Sequence, residues 1–359
     1  MATTSYGVNH PLTVKVWARR LFHEALKQTW AYKFIGRNSN SLIQYKEDLA
    51  RGPGDRVRVG LRMLLSGDGI QGDGTLEGNE EALTTFFDDV VINQLRHAVR
   101  VGGRMSQQRV PFSIREEARE GLADWWADRF DTWFFNQVTG NTAVSDTRFG
   151  GHNAITAPDS DHLFVGGPLA ALHTTEASLS ATTTHALKLS EIDRAVAKAK
   201  TLTPPIRPVR IKGGEYYCLF IHPFQTYQLR TDSGTNNWAD IQKAALQGGN
   251  ITKSPIFTGA LGMHNNVIIH ESTRVPVITG TPNSGSASDY RRSVFCGAQA
   301  AVLACGQGEA PEKFTWVEEL FDYENQLGVA AGQISGLKKS IFDSKDFATI
   351  AISGYAPSV

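Results

Sequence analysis

The sequence predicts an α+β fold, with helices and strands grouped along the chain rather than alternating. Three observations carry this. Residues 113–139 repeat apolar side chains at three- and four-residue steps, a period that only a helix gathers onto one face. Runs such as Arg56–Met63, and the apolar stretch from Tyr216 to His222-Pro223, have the short alternating or continuous pattern of strands. Between such runs lies Leu64–Leu83, "LLSGDGIQGDGTLEGNEEAL", punctuated by glycine and carrying neither period.

Leu12–Phe34 places Val16, Leu21, Ala25 and Leu26 at near-helical spacing, an amphipathic arm that ends at Gly36 and the polar run Arg37–Ser41. Ser41–Lys46 and Arg56–Met63 read as strands rising to the glycine-rich stretch. In Arg56–Met63 charged and apolar residues alternate, so one face is wet. Leu83–Val101 is rich in strand formers and brings the chain back. A long loop inside a compact domain is unusual unless its tip touches something outside that domain.

Ser113 with Glu116 three residues on forms a capping box that opens the long helix. Ile114, Ala118, Leu122, Trp125, Trp126, Trp133, Phe134 and Val138 carry its apolar seam to Gly140. About 25 residues at ~1.5 Å each give a rod of nearly 40 Å. The aromatic ladder is a packing seam rather than a cofactor box.

A Gly/Asp/Pro-rich passage with short strands follows, then a helix from Ser190, its N-cap, to Ala199, stopped before Pro204-Pro205. After the strand ending at His222 come a short helix near Trp238–Leu246, the strand Asn266–Ser272 and a mobile loop at Gly280–Tyr290. Ser293–Gly306 is a buried apolar segment, and Lys313–Val329 and Asp346–Ser353 are rich in strand.

Composition narrows the function. Thirty-six basic and thirty-six acidic residues cancel, so no global field draws the chain to nucleic acid or membrane. Cys218, Cys296 and Cys305 keep no metal spacing and, set among apolar neighbours, read as buried free thiols of a reducing cytoplasm. The start lacks the build of a signal peptide, and no apolar run reaches membrane-spanning length.

Gly67-Asp68-Gly69-Ile70-Gln71-Gly72 matches the dinucleotide fingerprint letter for letter. That turn needs a strand buried on both faces before it and a helix opening within it, and neither is present. A nucleotide-binding enzyme built on Gly67–Gly72 therefore stands as the lesser alternative. Asp68, Asp73 and Glu77 do not keep calcium-loop spacing. His23-Glu24 lacks the second histidine of a zinc helix, and His222 and His270 read as structural residues at strand ends. No nucleophile elbow or phosphate loop occurs; active-site partners can lie far apart in sequence, but no motif argues for catalysis, and no catalytic residue, metal or cofactor is singled out. Arg96, Arg100 and Arg104, beside His97, form a basic cluster suited to a subunit contact or to a DNA backbone.

Long phrases then carry a resemblance. The arm, "LSGDGIQGDGTLEGNEEAL", "RHAVR", "REEAREGLADWWADRFDTWFFNQ", "HPFQTYQLR", "SPIFTGALGMHNNVIIHES" and "GAQAAVLACGQ" together resemble the major capsid proteins of tailed bacteriophages, most of all the coliphage N-four type. The resemblance implies a Hong Kong 97-type fold. Residues 1–41 would form the arm, 42–96 an extended loop, and 97–185 a peripheral domain on a spine helix at 113–139. Residues 186–295 would form the axial domain and 296–359 the return strands that complete both.

It further implies self-assembly into pentamers and hexamers of an icosahedral shell around double-stranded DNA, made in the bacterial host cytoplasm. Portal and scaffolding proteins would be partners, with a decoration protein as a further candidate. The extended loop would cross a neighbouring subunit through Leu65, Gly67, Gly69, Ile70, Gly72, Gly74, Leu76 and Gly78. Some such shells weld that loop to a neighbour through a lysine–asparagine isopeptide bond. Here no lysine lies between Lys46 and Lys188, so no such bond is expected from the tip. The chain begins at the arm, so scaffolding is expected to be a separate protein.

Overall fold

The computed structural model describes residues 30–49, 54–111, 113–167, 175–211, 213–231, 260–306 and 314–358. Most of the expected arm, and the helix expected near Trp238, lie outside these residues. The described chain opens on a 3-10 turn at Trp30–Phe34, whose first amides are capped by the buried carboxylate of Asp131 at 3.1 and 2.9 Å. Strands β1 (Ile35–Gly36) and β2 (Ile43–Leu49) follow.

β3 (Arg56–Arg62) and β4 (Thr85–Val91) pair only with each other, antiparallel from Arg56 opposite Val91 to Arg62 opposite Thr85. β5 (Asn93–Arg100) then leaves the hairpin and joins a larger sheet. The stretch Leu83–Val101, rich in strand formers, holds two strands separated at Ile92. The hairpin occupies 56–91, a narrower span than the expected 42–96, because β2 and the first residues of β5 are recruited by that larger sheet.

α1 (Arg104–Arg109) buries no residue. α2 (Ile114–Thr139) is the expected long helix, with Ser113 accepting from the Glu116 amide and Gly140 closing it at φ 65°. β6 (Leu163–Val165) and α3 (Leu189–Thr201) come next. The cap of α3 is Lys188 rather than Ser190, and no side chain bonds the helix start. β7 (Val209–Ile211) and β8 (Gly214–Ile221) end before α4 (Pro223–Thr231). Pro223 opens that helix, where a missing N–H costs nothing.

β9 (Ala260–His264) and β10 (Val267–Glu271) precede a loop at 280–290. The sequence suggested a mobile loop there. It carries a Ser286/Asp289 capping box and a hydrogen bond from the Tyr290 hydroxyl to the Ser284 carbonyl. The buried segment Ser293–Gly306 is split between β11 (Tyr290–Cys296) and β12 (Ala301–Gly306), which belong to different sheets. β13 (Thr315–Phe321), β14 (Gln326–Lys339), the small β15 (Ile341–Phe342) and β16 (Lys345–Asp346), and β17 (Thr349–Tyr355) finish the described chain.

Two sheets organise these strands. One runs β1-β2-β12-β14-β13 with β5 along β14; the other runs β6-β17-β11-β8-β10-β9 with β7 on β8. The long helix α2 bridges them. Its Trp126, Trp133, Phe134, Phe135 and Val138 are buried in one continuous core with Val329, Ala331 and Leu337 of β14 and Phe220 and Phe295 of the second sheet. At its end, Arg292 donates to the carbonyls of Thr139 and Gly140 at 3.3 and 2.9 Å and pairs with Glu176 at 2.5 Å, both side chains buried. Glu176 also accepts from the Gly280 amide and the Ser353 hydroxyl, so the pair ties four segments to the helix terminus.

All three cysteines are buried free thiols. Cys218 and Cys296 face each other across β8 and β11, and burial pushes both thiols up, away from the reactive thiolate. His270 is fully buried among the rings of Trp30, Phe34 and Phe220. His222 receives the Phe224 amide on Nδ1 at 3.2 Å; burial, with help from the Arg291 charge, lowers it to about 4. Both are buried, His222 just past the end of β8 and His270 within β10.

Candidate functional site: an extended hairpin and an arginine face

The hairpin is amphipathic because a strand turns alternate residues to opposite faces. Val57 and Val90 at its base are buried against Val302 and Ala304, with Val59 and Ile92 packed beside them. On the opposite face Arg58 pairs with Asp89 directly across the ribbon at 2.7 and 2.8 Å and lies over the Phe87 ring at 4.1 Å.

Three contacts fix the base to the body. Asn153, buried, accepts from the Val91 amide at 2.9 Å and donates to the carbonyls of Val91, Gly151 and Leu337 at 3.0, 2.9 and 3.2 Å. Lys338 pairs with Asp88 and also reaches the Asp89 carbonyl at 3.0 Å. Gly336 of β14 lies so close that a Cβ there would overlap the Val91 carbonyl oxygen. Asn153 is itself set by α2, since Gln137 donates to the carbonyls of Gly150 and Asn153 at 2.5 and 3.1 Å. The long helix thus aims the hairpin through one buried loop.

Leu65, Gly67, Gly69, Ile70, Gly72, Gly74, Leu76 and Gly78 all lie between β3 and β4, and all are exposed. Gly69, Gly72 and Gly78 adopt positive φ, which glycine accepts without a Cβ penalty. Among the described residues, every hydrogen bond recorded for 64–83 stays within that segment. Glu81 is the organiser, accepting from the amides of Ser66 at 2.8 Å and Gly67 at 2.7 Å. Those two hydrogen bonds hold its carboxyl below the usual range. The first amide of the apparent dinucleotide fingerprint is therefore occupied by a carboxylate, and no helix opens behind it. A pyrophosphate would meet Glu81 where it needs free N–H groups.

Leu64, Leu65, Leu76 and Leu83 are 61–88 % exposed, large apolar side chains presented on a segment without a local core. The second expected cluster lies elsewhere. Arg96 and Arg100 are exposed on the face of β5 opposite Leu95, His97 and Val99, which turn toward the core and α2. Arg100 lies over the Phe321 ring at 4.5 Å. Arg104 opens α1, past the end of β5, beside a cavity it shares with Arg115, Glu318 and Leu327. Among the described residues, no hydrogen bond, ion pair or ring contact joins the hairpin tip to these arginines.

Sequence reasoning singled out the tip and the arginines; it gave no sign of Asn153 and Lys338, whose partners at the hairpin base are far away in sequence. Glu81 carried a signal, being an acid that closes the glycine-rich run, but its target amides could not be read from spacing.

Residues 4–358 match the profile of a family described as phage capsid protein. The chain belongs to that family. It is 30% identical over 355 residues to the major capsid protein of Pseudomonas phage KPP25, covering 92% of this chain and 89% of that protein. The capsid of Ralstonia phage GP4 superposes with a TM-score of 0.81 at 32% identity, with 99% of each chain covered. The Cyanophage Pam1 capsid subunit shares the fold at TM-score 0.73 and 20% identity, over 93% of this chain and 94% of that one. The protein is therefore a major capsid protein of a tailed phage, with the Hong Kong 97-type fold. It is a structural component of the phage head and not an enzyme.

Proposed function

We propose that this chain assembles into the pentamers and hexamers of an icosahedral head that encloses double-stranded DNA. In that shell each extended hairpin lies across a neighbouring copy. The observation that carries this is the hairpin tip: exposed leucines on a segment whose recorded hydrogen bonds are all internal, held out by a rigid base. Exposed apolar surface without a cis partner calls for one in trans. Head-to-tail contacts of this heterologous kind close into rings, and many weak ones make a stable lattice.

In this reading the sheet containing β14, with α2, corresponds to the peripheral domain, and the sheet containing β11 to the axial domain. Portal and scaffolding proteins are the expected partners, and a decoration protein a further one. The phrases quoted above favour the coliphage N-four type within the family.

Negative-stain microscopy with light scattering on the purified chain tests the assembly. Shells or capsomer rings are expected from the intact protein, lost or malformed when Gly67–Gly78 is deleted. A uniform monomer in both cases, unrescued by scaffolding protein, would sink the assembly reading.

A further inference from the structure

The sequence contains two Asp-Gly bonds and no Asn-Gly bond, and both Asp-Gly bonds, Asp68-Gly69 and Asp73-Gly74, fall in the hairpin tip. An aspartate in this setting is open to attack by its own backbone. The amide nitrogen that follows it reaches the side-chain carbonyl carbon most freely when the next residue has no Cβ to stiffen the chain or block the approach. Two further demands are that this amide be unengaged and that the chain around it have room to turn. The two aspartates meet them differently.

Asp68 and Gly69 are exposed and lie in no turn, helix or strand. Among the described residues no hydrogen bond engages the Gly69 amide. A Cβ on Gly69 would meet nothing within 4 Å, and its φ is 70°. The Glu81 latch stops just short, on the amides of Ser66 and Gly67. Asp73, by contrast, sits inside a turn whose Gly74 amide donates to the Gln71 carbonyl at 3.4 Å. A Cβ on Gly74 would come within 2.5 Å of Ile70 Cγ2 and 3.3 Å of that carbonyl oxygen. The second amide is engaged and crowded where the first is free.

We propose that Asp68 is a site of spontaneous backbone modification, converting to isoaspartate through a succinimide, while its turn protects Asp73. The Gly69 nitrogen bonds to Asp68 Cγ and a Cγ–O bond breaks. The departing oxygen leaves as water, carrying the amide proton and one proton from solvent. Water then adds to one of the two ring carbonyls, and a proton returns to the nitrogen. Addition at Cγ restores aspartate. Addition at the main-chain carbonyl leaves the chain running through Cβ and Cγ, with the α-carboxylate now the side group. Water lost in the first step is regained in the second, so mass is unchanged and no other reactant is needed. The product lengthens the main chain by one methylene and re-aims a carboxylate beside the Glu81 latch. None of this depends on the assembly reading.

The full-length chain, kept free of particles as light scattering verifies, is incubated at neutral pH and sampled over weeks, with circular dichroism confirming the fold. The tryptic peptide that follows Arg62 carries both aspartates, and electron-transfer fragmentation tells isoaspartate at residue 68 from isoaspartate at residue 73. Isoaspartate should accumulate at 68 about fivefold faster than at 73, the bias that one ordinary hydrogen bond supplies. None at 68, or as much at 73, would overturn the proposal.

A second pair of variants reads the same geometry through intact mass. Asp68→Asn and Asp73→Asn close the same rings but expel ammonia, so the hydrolysed product differs in mass from the starting chain. Asp68→Asn should change mass several-fold sooner, again about fivefold. Equal rates, or an earlier change in Asp73→Asn, would show that the turn does not protect and would sink the assignment to Asp68.

Discussion

At the base of the hairpin Val91 gives both backbone groups to Asn153, Asp88 is paired with Lys338, and Val57 and Val90 are buried. At the tip Leu64, Leu65, Leu76 and Leu83 are open to water, and the recorded hydrogen bonds all close on the tip itself. One ribbon therefore has a prepaid end and an unpaid one. In the proposed assembly the base would fix direction before any neighbour arrives, so association need not order it. The tip has glycines at positive φ and one carboxylate latch, which hold its shape through local contacts alone.

The contrast is broken most severely from beneath the base. Arg292→Ala leaves Glu176 buried without its cation and frees the carbonyls at the end of α2. A loss of about 3–5 kcal/mol is expected, because the abandoned charge keeps its desolvation cost. Equilibrium urea unfolding measures it, and an unchanged midpoint would show that the pair does not hold the helix end. Asn153→Ala comes next, with a loss of about 1–3 kcal/mol, since buried backbone groups lose their partner. Here the informative pair of measurements is stability together with particle shape: a hairpin aimed wrongly should give malformed particles even from protein that is still folded.

An acid titration sharpens the same contrast. Burial pushes Asp159 up, but hydrogen bonds from His162 and the Asp346 amide outweigh it and bring its carboxyl to about 2. A folded pKa below the ordinary 3.8 means the contribution is complete above 3.8 and lost as pH falls through about 2. Asp159→Asn should flatten the stability profile across that window, and an unaltered profile would remove Asp159 from the linkage. The smallest effect belongs to the tip. Glu81→Gln should speed hydrogen exchange at the Ser66 and Gly67 amides at neutral pH while leaving the unfolding midpoint in place. In the wild type the latch is present above the ordinary glutamate range and released as pH falls through its lowered value.

How much of this was legible in the sequence follows from how local each feature is. The α2 seam, its Ser113 cap and the Gly140 stop are local, and all three are where the spacing put them. The wet face of β3 was likewise written in alternation. The break at Ile92 was not, because continuous strand formers say nothing about which sheet recruits them. Ser190 looked like a cap by residue type, yet the helix begins one residue before it. Tip glycines and arginines stood out by composition, whereas Asn153 holds groups 62 and 184 positions away, a relation no local pattern encodes.

Hydrogen exchange on the free chain and on assembled particles tests the contrast most directly. Amides of Val57, Val90 and Val91 are expected to exchange slowly in both, and those of 64–83 to slow only in particles. A tip still fast in intact particles, or a base already fast in the free chain, would contradict it.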